Sequence, residues 1–224
     1  MTAPLRLRLA TSNPGKGQEL ARLIGAALGP DVGRLRLCDL ADLRGFRAAE
    51  EDGATYGENA ARKAAAAAAA DPAAAVLADD SGLEVDALHG APGLRSARWA
   101  TTGRGEPLDG AGLNAALLAR LGGLPAARRG ARLVAALALI LPGQGVPALG
   151  HGDVTGRVAL QAAGRGGFGY DHVFLLPDGR RLADLPGPDK DAVSHRGQAL
   201  AAMAGTLQAW VAAAAAPTSP RTSR

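Results

Sequence analysis

Leu5, Leu7 and Leu9 alternate with Arg6 and Arg8, the period-2 pattern of a strand with one buried face, and predict a first strand ending near Ala10. Past a polar loop, residues 11–16, the apolar positions Leu20, Leu23, Ile24 and Ala27 take helical spacing, and the predicted helix stops at Gly29-Pro30. Residues 35–38 read as a second strand and 44–53 as an irregular acidic connection. Thr55 and Glu58 have capping-box spacing and open an Ala-rich helix that ends near Ala70, before Asp71-Pro72. A third strand is predicted over 76–79 and a short fourth over 83–85, with Asp80-Ser81-Gly82 between them in turn-forming residues. Gly90-Ala91-Pro92-Gly93 marks another turn, 109–121 a helix ended by Gly122-Gly123, and 131–141 the longest apolar strand. Residues 146–156, 157–160 and 174–176 read as further strands, the last two flanking a glycine-rich loop at 164–169. A final helix starts at Ser194 and runs to about Ala216, and 217–224 has a disordered composition. Strands and helices alternate early and strands cluster later. The pattern predicts an α/β fold with a mixed sheet, one domain over 1–216, and two lobes about a cleft.

Composition narrows the function classes. With 47% hydrophobic residues over 224, the chain has material for a real core. It lacks an apolar segment approaching the roughly 18 residues of a membrane span, and its first residues contain no signal-peptide core. The expectation is a soluble cytoplasmic protein. Cys38 is the single cysteine, which rules out an internal disulfide or a cysteine-built zinc site. A net charge of +4, no long basic run and only 3% aromatic residues argue against a nucleic-acid surface.

Four segments carry chemistry. Asp79-Asp80-Ser81-Gly82 places carboxylates directly after an apolar run, a candidate half of a Mg²⁺-nucleotide site, although a plain turn fits the same residues. The loop Thr11-Ser12-Asn13-Pro14-Gly15-Lys16 puts hydroxyls, an amide and a lysine before a helix N-terminus, where free N–H groups favour anions. It is not a Walker A loop, and a solvated lysine in a capped turn is the plainer alternative. Gly166-Gly167-Phe168-Gly169-Tyr170-Asp171 spends two of five Phe and Tyr residues in one loop, either to stack on a base with Asp171 accepting from its edge or to anchor the loop in the core. Ser194 is a natural N-cap, yet His195 and Arg196 follow in the turn where the helix dipole disfavours cations. Lys190 lies four residues ahead of that cap.

With Pro92-Gly93-Leu94-Arg95-Ser96-Ala97-Arg98, these segments resemble the inosine triphosphate pyrophosphatase family, the house-cleaning XTP/dITP diphosphatases. Its five marks, Thr-x-Asn-x-x-Lys, Asp-Asp-Ser-Gly, Pro-Gly-x-x-Ser-Ala-Arg, Phe-Gly-Tyr-Asp and Ser-His-Arg-x-x-Ala-Leu, occur here in order between residues 11 and 200. The resemblance implies an elongated mixed sheet with flanking helices around a nucleotide cleft, a homodimer, and Mg²⁺-dependent hydrolysis of dITP, ITP and XTP to monophosphate and pyrophosphate. By motif, Thr11, Ser12, Asn13, Pro14, Gly15 and Lys16 would grip the triphosphate, with Lys63 as a further phosphate ligand. Asp80 would hold Mg²⁺ and orient or deprotonate the water, with Glu50 as the second metal ligand. Ser81, Phe168, Gly169, Tyr170, Asp171, Lys190, His195 and Arg196 would contact the substrate.

Two rivals share the nucleotide chemistry: a Maf-like pyrophosphatase acting on pyrimidine or modified nucleotides, and a non-catalytic nucleotide sensor. The first typically carries a Ser-x-Ser-Pro-Arg type loop after its first strand, which is absent here, and intact Asp80 and Lys16 argue against the second. A nucleic-acid module built on Arg95, Arg98 and Arg104 is the third alternative.

Overall fold

In a computed structural model, whose described residues are 4–214, six strands form one mixed sheet. The predicted tail, 217–224, and the last two residues of the predicted final helix lie outside the described residues. In chain order the elements are β1 (Leu5–Ala10), α1 (Pro14–Leu28), β2 (Leu35–Asp39), α2 (Tyr56–Ala70), β3 (Ala75–Val85), α3 (Gly110–Arg120), β4 (Gly130–Ile140), β5 (Ala148–Val158), β6 (Phe174–Leu175), α4 (Gly187–Val193) and α5 (His195–Ala213). The sheet order is β2-β1-β3-β4-β5-β6, with β1 parallel to β2 and β3 and every later pairing antiparallel.

The sheet corrects the sequence reading at three places. Residues 76–85 are not two short strands around a turn. They belong to one eleven-residue strand whose register with β4 runs unbroken from Val76↔Ile140 to Val85↔Ala131. A full antiparallel ladder outweighs the local turn preference of Asp-Ser-Gly. Likewise β5 is one strand where two were expected over 146–160. Its Gly150 and Gly152 leave no room for a side chain, because an added Cβ would lie 2.1 Å from the Ala199 carbonyl and 2.3 Å from that of His195. α5 therefore lies directly on the strand. Thirdly, 187–193 forms a short helix, α4, in a stretch to which the sequence reading gave no element.

The core divides along β3. On one face of its first half, Leu77 and Ala75 pack with Leu7, Leu137, α1 and α5; on the other, Val76 and Ala78 pack with Ala60, Ala64 and Ala67 of α2. The alanine tract of α2 lets helix and sheet approach closely. The second half, with Leu83 and Val85, joins a separate cluster with α3, Val154, Phe174 and Leu182. Between the two clusters β1 stops: its last partner on β3 is Ala78, so Asp79 and Asp80 are the first residues of β3 beyond that pairing. The carboxylates stand at the carboxyl end of β1, not of their own strand. A parallel strand ending beside a continuing neighbour opens a crevice of the kind that ligands occupy in α/β sheets.

Candidate active site

β1 leads into that crevice through Thr11, Ser12 and Asn13. Asn13 caps α1, its Oδ1 accepting from the Lys16 backbone N–H at 3.2 Å, with Pro14 at the first helical turn. The cap orients Lys16 inward, where its Nζ ion-pairs with Asp79.

Strand alternation sends the two aspartates to opposite faces of the sheet. Asp79 faces α1 and α5, and its side chain is fully buried. Besides Lys16 it accepts from Arg196 Nε at 2.9 Å and from Ser81 Oγ at 3.2 Å, and Arg196 Nη2 donates to Ser81 Oγ at 2.6 Å. Burial alone would raise its pKa, but the charges of Arg196 and Lys16 prevail and hold it well below the usual carboxylate range. Lys16 is shifted down by its own burial, which Asp79 resists.

Asp80 faces α2. Its Oδ1 accepts from Lys63 Nζ at 3.0 Å and its Oδ2 from Asn59 Nδ2 at 3.1 Å. Asn59 and Lys63 are one helical turn apart, so one face of α2 serves both oxygens. Asn59 Oδ1 in turn accepts from the Gly53 N–H at 2.8 Å. Burial pushes the Asp80 carboxyl up despite Lys63 and Asn59. For Lys63 burial acts downward, and Asp80 and Glu51 outweigh it, leaving its pKa raised.

Lys63 also donates to Glu51 Oε1 at 2.9 Å, while Arg98 holds Glu51 Oε2 at 2.7 Å and the Glu51 carbonyl at 2.9 Å. The expected second acid was Glu50, but the acid brought to Lys63 is its neighbour. Glu50 is exposed and makes no side-chain hydrogen bond or ion pair among the described residues, whereas Glu51 turns inward to meet Lys63 and Arg98. Three consecutive acids offer no register by themselves, and the cations that select one come from α2 and from the 93–98 segment.

Two adjoining cavities follow the crevice. The smaller, about 170 Å³, is walled by Thr11, Ser12, Asn13, Lys16, Glu51 and Lys63 among others. The larger, about 380 Å³, is walled by Ser81, Phe168, Gly169, Tyr170, Asp171, His195 and Arg196, and shares Asn13, Lys16 and Ala97 with the first. Pro14 lies outside both, on a groove along α1 and β2. Gly15 meets the Phe168 ring: a Cβ there would come within 2.5 Å of it, so the two loops touch where only glycine fits.

Phe168 is a wall of the larger cavity with cations around its ring, Lys190 Nζ at 4.5 Å and Arg196 Cζ at 5.2 Å from the centroid. Tyr170 is the core anchor of the loop, its hydroxyl donating to the Ser96 carbonyl at 2.9 Å. Asp171 Oδ2 accepts from the Phe168 N–H at 2.8 Å, and Asn114 Nδ2 of α3 holds the Gly169 carbonyl at 2.9 Å. Lys190 is in neither cavity wall. It is buried behind the loop, donating to Asp171 Oδ2 and to Glu19 Oε2 at 2.6 Å each. α4 delivers it there, and the structure makes it a tether of the loop. His195 is 3% exposed, its Nδ1 has no hydrogen-bond partner, and burial followed by the charge of Arg196 lowers its pKa far enough to keep the ring neutral at pH 7.

The sequence reading gave no individual role in the site to Asp79, Glu19, Asn59, Arg98 or Asn114. For three of them a signal existed. Alternation along an extended strand separates Asp79 from Asp80, and Asn59 and Glu19 are polar residues one turn from Lys63 and Lys16.

A profile of the Ham1 family matches residues 7–206. The dITP/XTP pyrophosphatase of Desulforamulus reducens is 42% identical over 197 residues, covering 88% of this chain and 92% of its own. That of Nocardia farcinica is 44% identical over 197 residues, covering 87% and 91%. Among solved structures, a HAM1 protein from Coxiella burnetii superposes with a TM-score of 0.75 at 31% identity, over 92% of this chain and 99% of that one. A nucleoside-triphosphatase (dITP/XTP pyrophosphatase) from Mycobacterium abscessus gives a TM-score of 0.67 at 40% identity, over 91% and 100%.

Proposed function

Because the chain belongs to the Ham1 family, we propose that it is a nucleoside-triphosphate pyrophosphatase that hydrolyses dITP, ITP and XTP to the monophosphate and pyrophosphate, clearing deaminated purines from the nucleotide pool. One observation carries the reading: a lysine-lined cavity for phosphates opens through Asn13, Lys16 and Ala97 into a second cavity walled by Phe168, His195 and Arg196, with room for a base.

Lys16 and Lys63 supply the positive charge a triphosphate needs, and the hydroxyls of Thr11 and Ser12 and the first N–H groups of α1 add donors. Asp80 is the proton acceptor for the attacking water, its basicity raised by burial. The donor chemistry fits a hard divalent cation, since Asp80 and Glu51 bring carboxylate oxygens to the same lysine at the phosphate end. When bound there, Mg²⁺ would neutralise phosphate charge and stabilise the leaving pyrophosphate. No side chain is needed as a nucleophile, so water attacks the α-phosphorus directly. Hydrolysis in H₂¹⁸O should place the label in the monophosphate, and label in pyrophosphate would refute this route.

Selectivity rests on donor polarity. The neutral His195 ring, the Arg196 guanidinium and loop N–H groups present donors toward a 6-oxo group, whereas the 6-amino group of adenine would face donors with donors. Such mismatched buried polar groups discriminate strongly. Lys190, Asp171 and Tyr170 hold the loop against which the base stacks on Phe168. We also assign the enzyme to the cytoplasm as a homodimer; among the described residues no helix is long and apolar enough to cross a membrane. The test is pyrophosphate release from dITP, XTP, dGTP, dATP and dTTP, each with and without Mg²⁺. Turnover confined to dITP and XTP supports the reading, and a pyrimidine preference overturns it.

A further inference from the structure

The arrangement around Lys63 bears on the order in which metal and nucleotide bind, a question that rests on the reading of Asp80 as a metal-holding group. Each carboxylate oxygen of Asp80 and Glu51 already has a protein donor. Asp80 Oδ1 and Glu51 Oε1 share the Lys63 ammonium at 3.0 and 2.9 Å, Asp80 Oδ2 takes the Asn59 amide at 3.1 Å, and Glu51 Oε2 takes Arg98 at 2.7 Å. Lys63 lines the smaller cavity and Asp80 does not. Asp80 is 6% exposed and lies outside that wall, which Lys63 shares with Glu51, so a cation entering from the phosphate side reaches Asp80 only past the Lys63 ammonium.

We propose that Lys63 is a resident counter-ion that closes the Asp80–Glu51 carboxylate pair to free divalent cations and releases it when nucleotide phosphates draw the ammonium away. The driving force is exchange of partners. An incoming triphosphate brings several negative charges to a cavity whose wall includes Lys63, and the flexible four-carbon stem lets the ammonium turn from carboxylate to phosphate without moving α2. The cation then arrives with the nucleotide and replaces the charge that Lys63 withdrew. In the free protein this ammonium is the one cation on Asp80 among the described residues, while Glu51 also has Arg98, so removing it leaves the Asp80 carboxylate in need of another cation.

The experiment titrates Mn²⁺, alone, into the full-length protein and follows the free Mn²⁺ signal by electron paramagnetic resonance, then repeats the titration with saturating α,β-imido-dITP and with the analogue alone. The wild-type protein should bind Mn²⁺ in the presence of the analogue at least about tenfold more tightly than either the protein or the analogue binds it alone. K63M, which keeps the length of the stem, should bind Mn²⁺ alone at least about tenfold more tightly than wild type, and Mn²⁺ alone should raise its melting temperature more than that of wild type. Equal Mn²⁺ affinity of the wild-type protein with and without analogue overturns the proposal, as does K63M binding Mn²⁺ alone no better than wild type. K63Q supplies the same comparison if K63M does not fold, and the wild-type arm needs no variant. Failure of the functional reading looks different: the wild-type enzyme would not release pyrophosphate from dITP, while the nucleotide-free comparison of wild type and K63M would still report on the counter-ion.

Discussion

Asp79→Asn tests the electrostatic centre of the site without changing its shape. The side chain is fully buried and bridges Lys16, 17% exposed, and Arg196, 4% exposed. At the 2.9 Å of the Arg196 contact and an effective dielectric of about 20, the gross attraction of that pair alone is about 6 kcal/mol, much of it offset by desolvation. Asparagine keeps the volume and one acceptor oxygen but loses the charge, leaving Arg196 with Glu19 at 3.6 Å and one of the two cations facing an amide NH₂. Breaking a buried pair from one side costs about 3–5 kcal/mol. In urea at pH 7, with a slope of about 2 kcal/mol/M, the midpoint should fall by about 2 M. The pH dependence supplies a second check. The folded carboxyl titrates well below its ordinary 3.8, held down by Arg196 and Lys16 against the effect of burial. Its contribution is therefore present above that value and is lost as pH falls through the folded one. The gap between wild type and variant should be constant above about pH 5 and narrow below about pH 4. A loss under about 1 kcal/mol, or a gap that persists unchanged in acid, would refute the assignment of Asp79 as the counter-charge of the two cations.

Asp80→Asn should abolish dITP turnover while nucleotide affinity, measured by calorimetry, stays within a few-fold; turnover near that of wild type would remove Asp80 from the chemistry. The buried neutral His195 has a folded pKa well below 6.5, so the unfolded chain takes up a proton that the native one refuses. Stability should fall from pH 7.5 to 5.5 through this residue, by at most about 1.4 kcal/mol, a component that urea titrations of His195→Gln should lack. Asn114→Ala frees the Gly169 carbonyl from α3 and should raise KM for dITP more than it lowers kcat, and reduce discrimination against dGTP. An unchanged dITP-to-dGTP ratio of kcat/KM would make Asn114 a packing residue alone.

Much of this protein was legible because it is local. Leucines alternating on β1 and spaced helically on α1 mark those elements whatever surrounds them, and Thr55 caps α2 as read, its Oγ1 accepting from the Glu58 N–H at 3.1 Å, although the Glu58 carboxylate takes the Ala54 N–H at 2.8 Å and not the Thr55 N–H that would complete the box. The five motifs pointed to the family that the comparisons bear out, because each keeps its chemistry within a few consecutive residues. Decisions that depend on distant partners were not legible. Whether Asp80-Ser81-Gly82 turns or continues as strand depends on β4, about fifty residues on, whose ladder supplies hydrogen bonds that no local preference anticipates. The choice of Glu51 over Glu50 is made by Lys63 and Arg98, and the burial of Lys190 by Glu19 on α1. Periodicity and capping are properties of neighbouring residues and can be read along the chain. The pairing of buried charges follows from which strands and helices meet, and only the assembled sheet brings Asp79, Lys16 and Arg196 together.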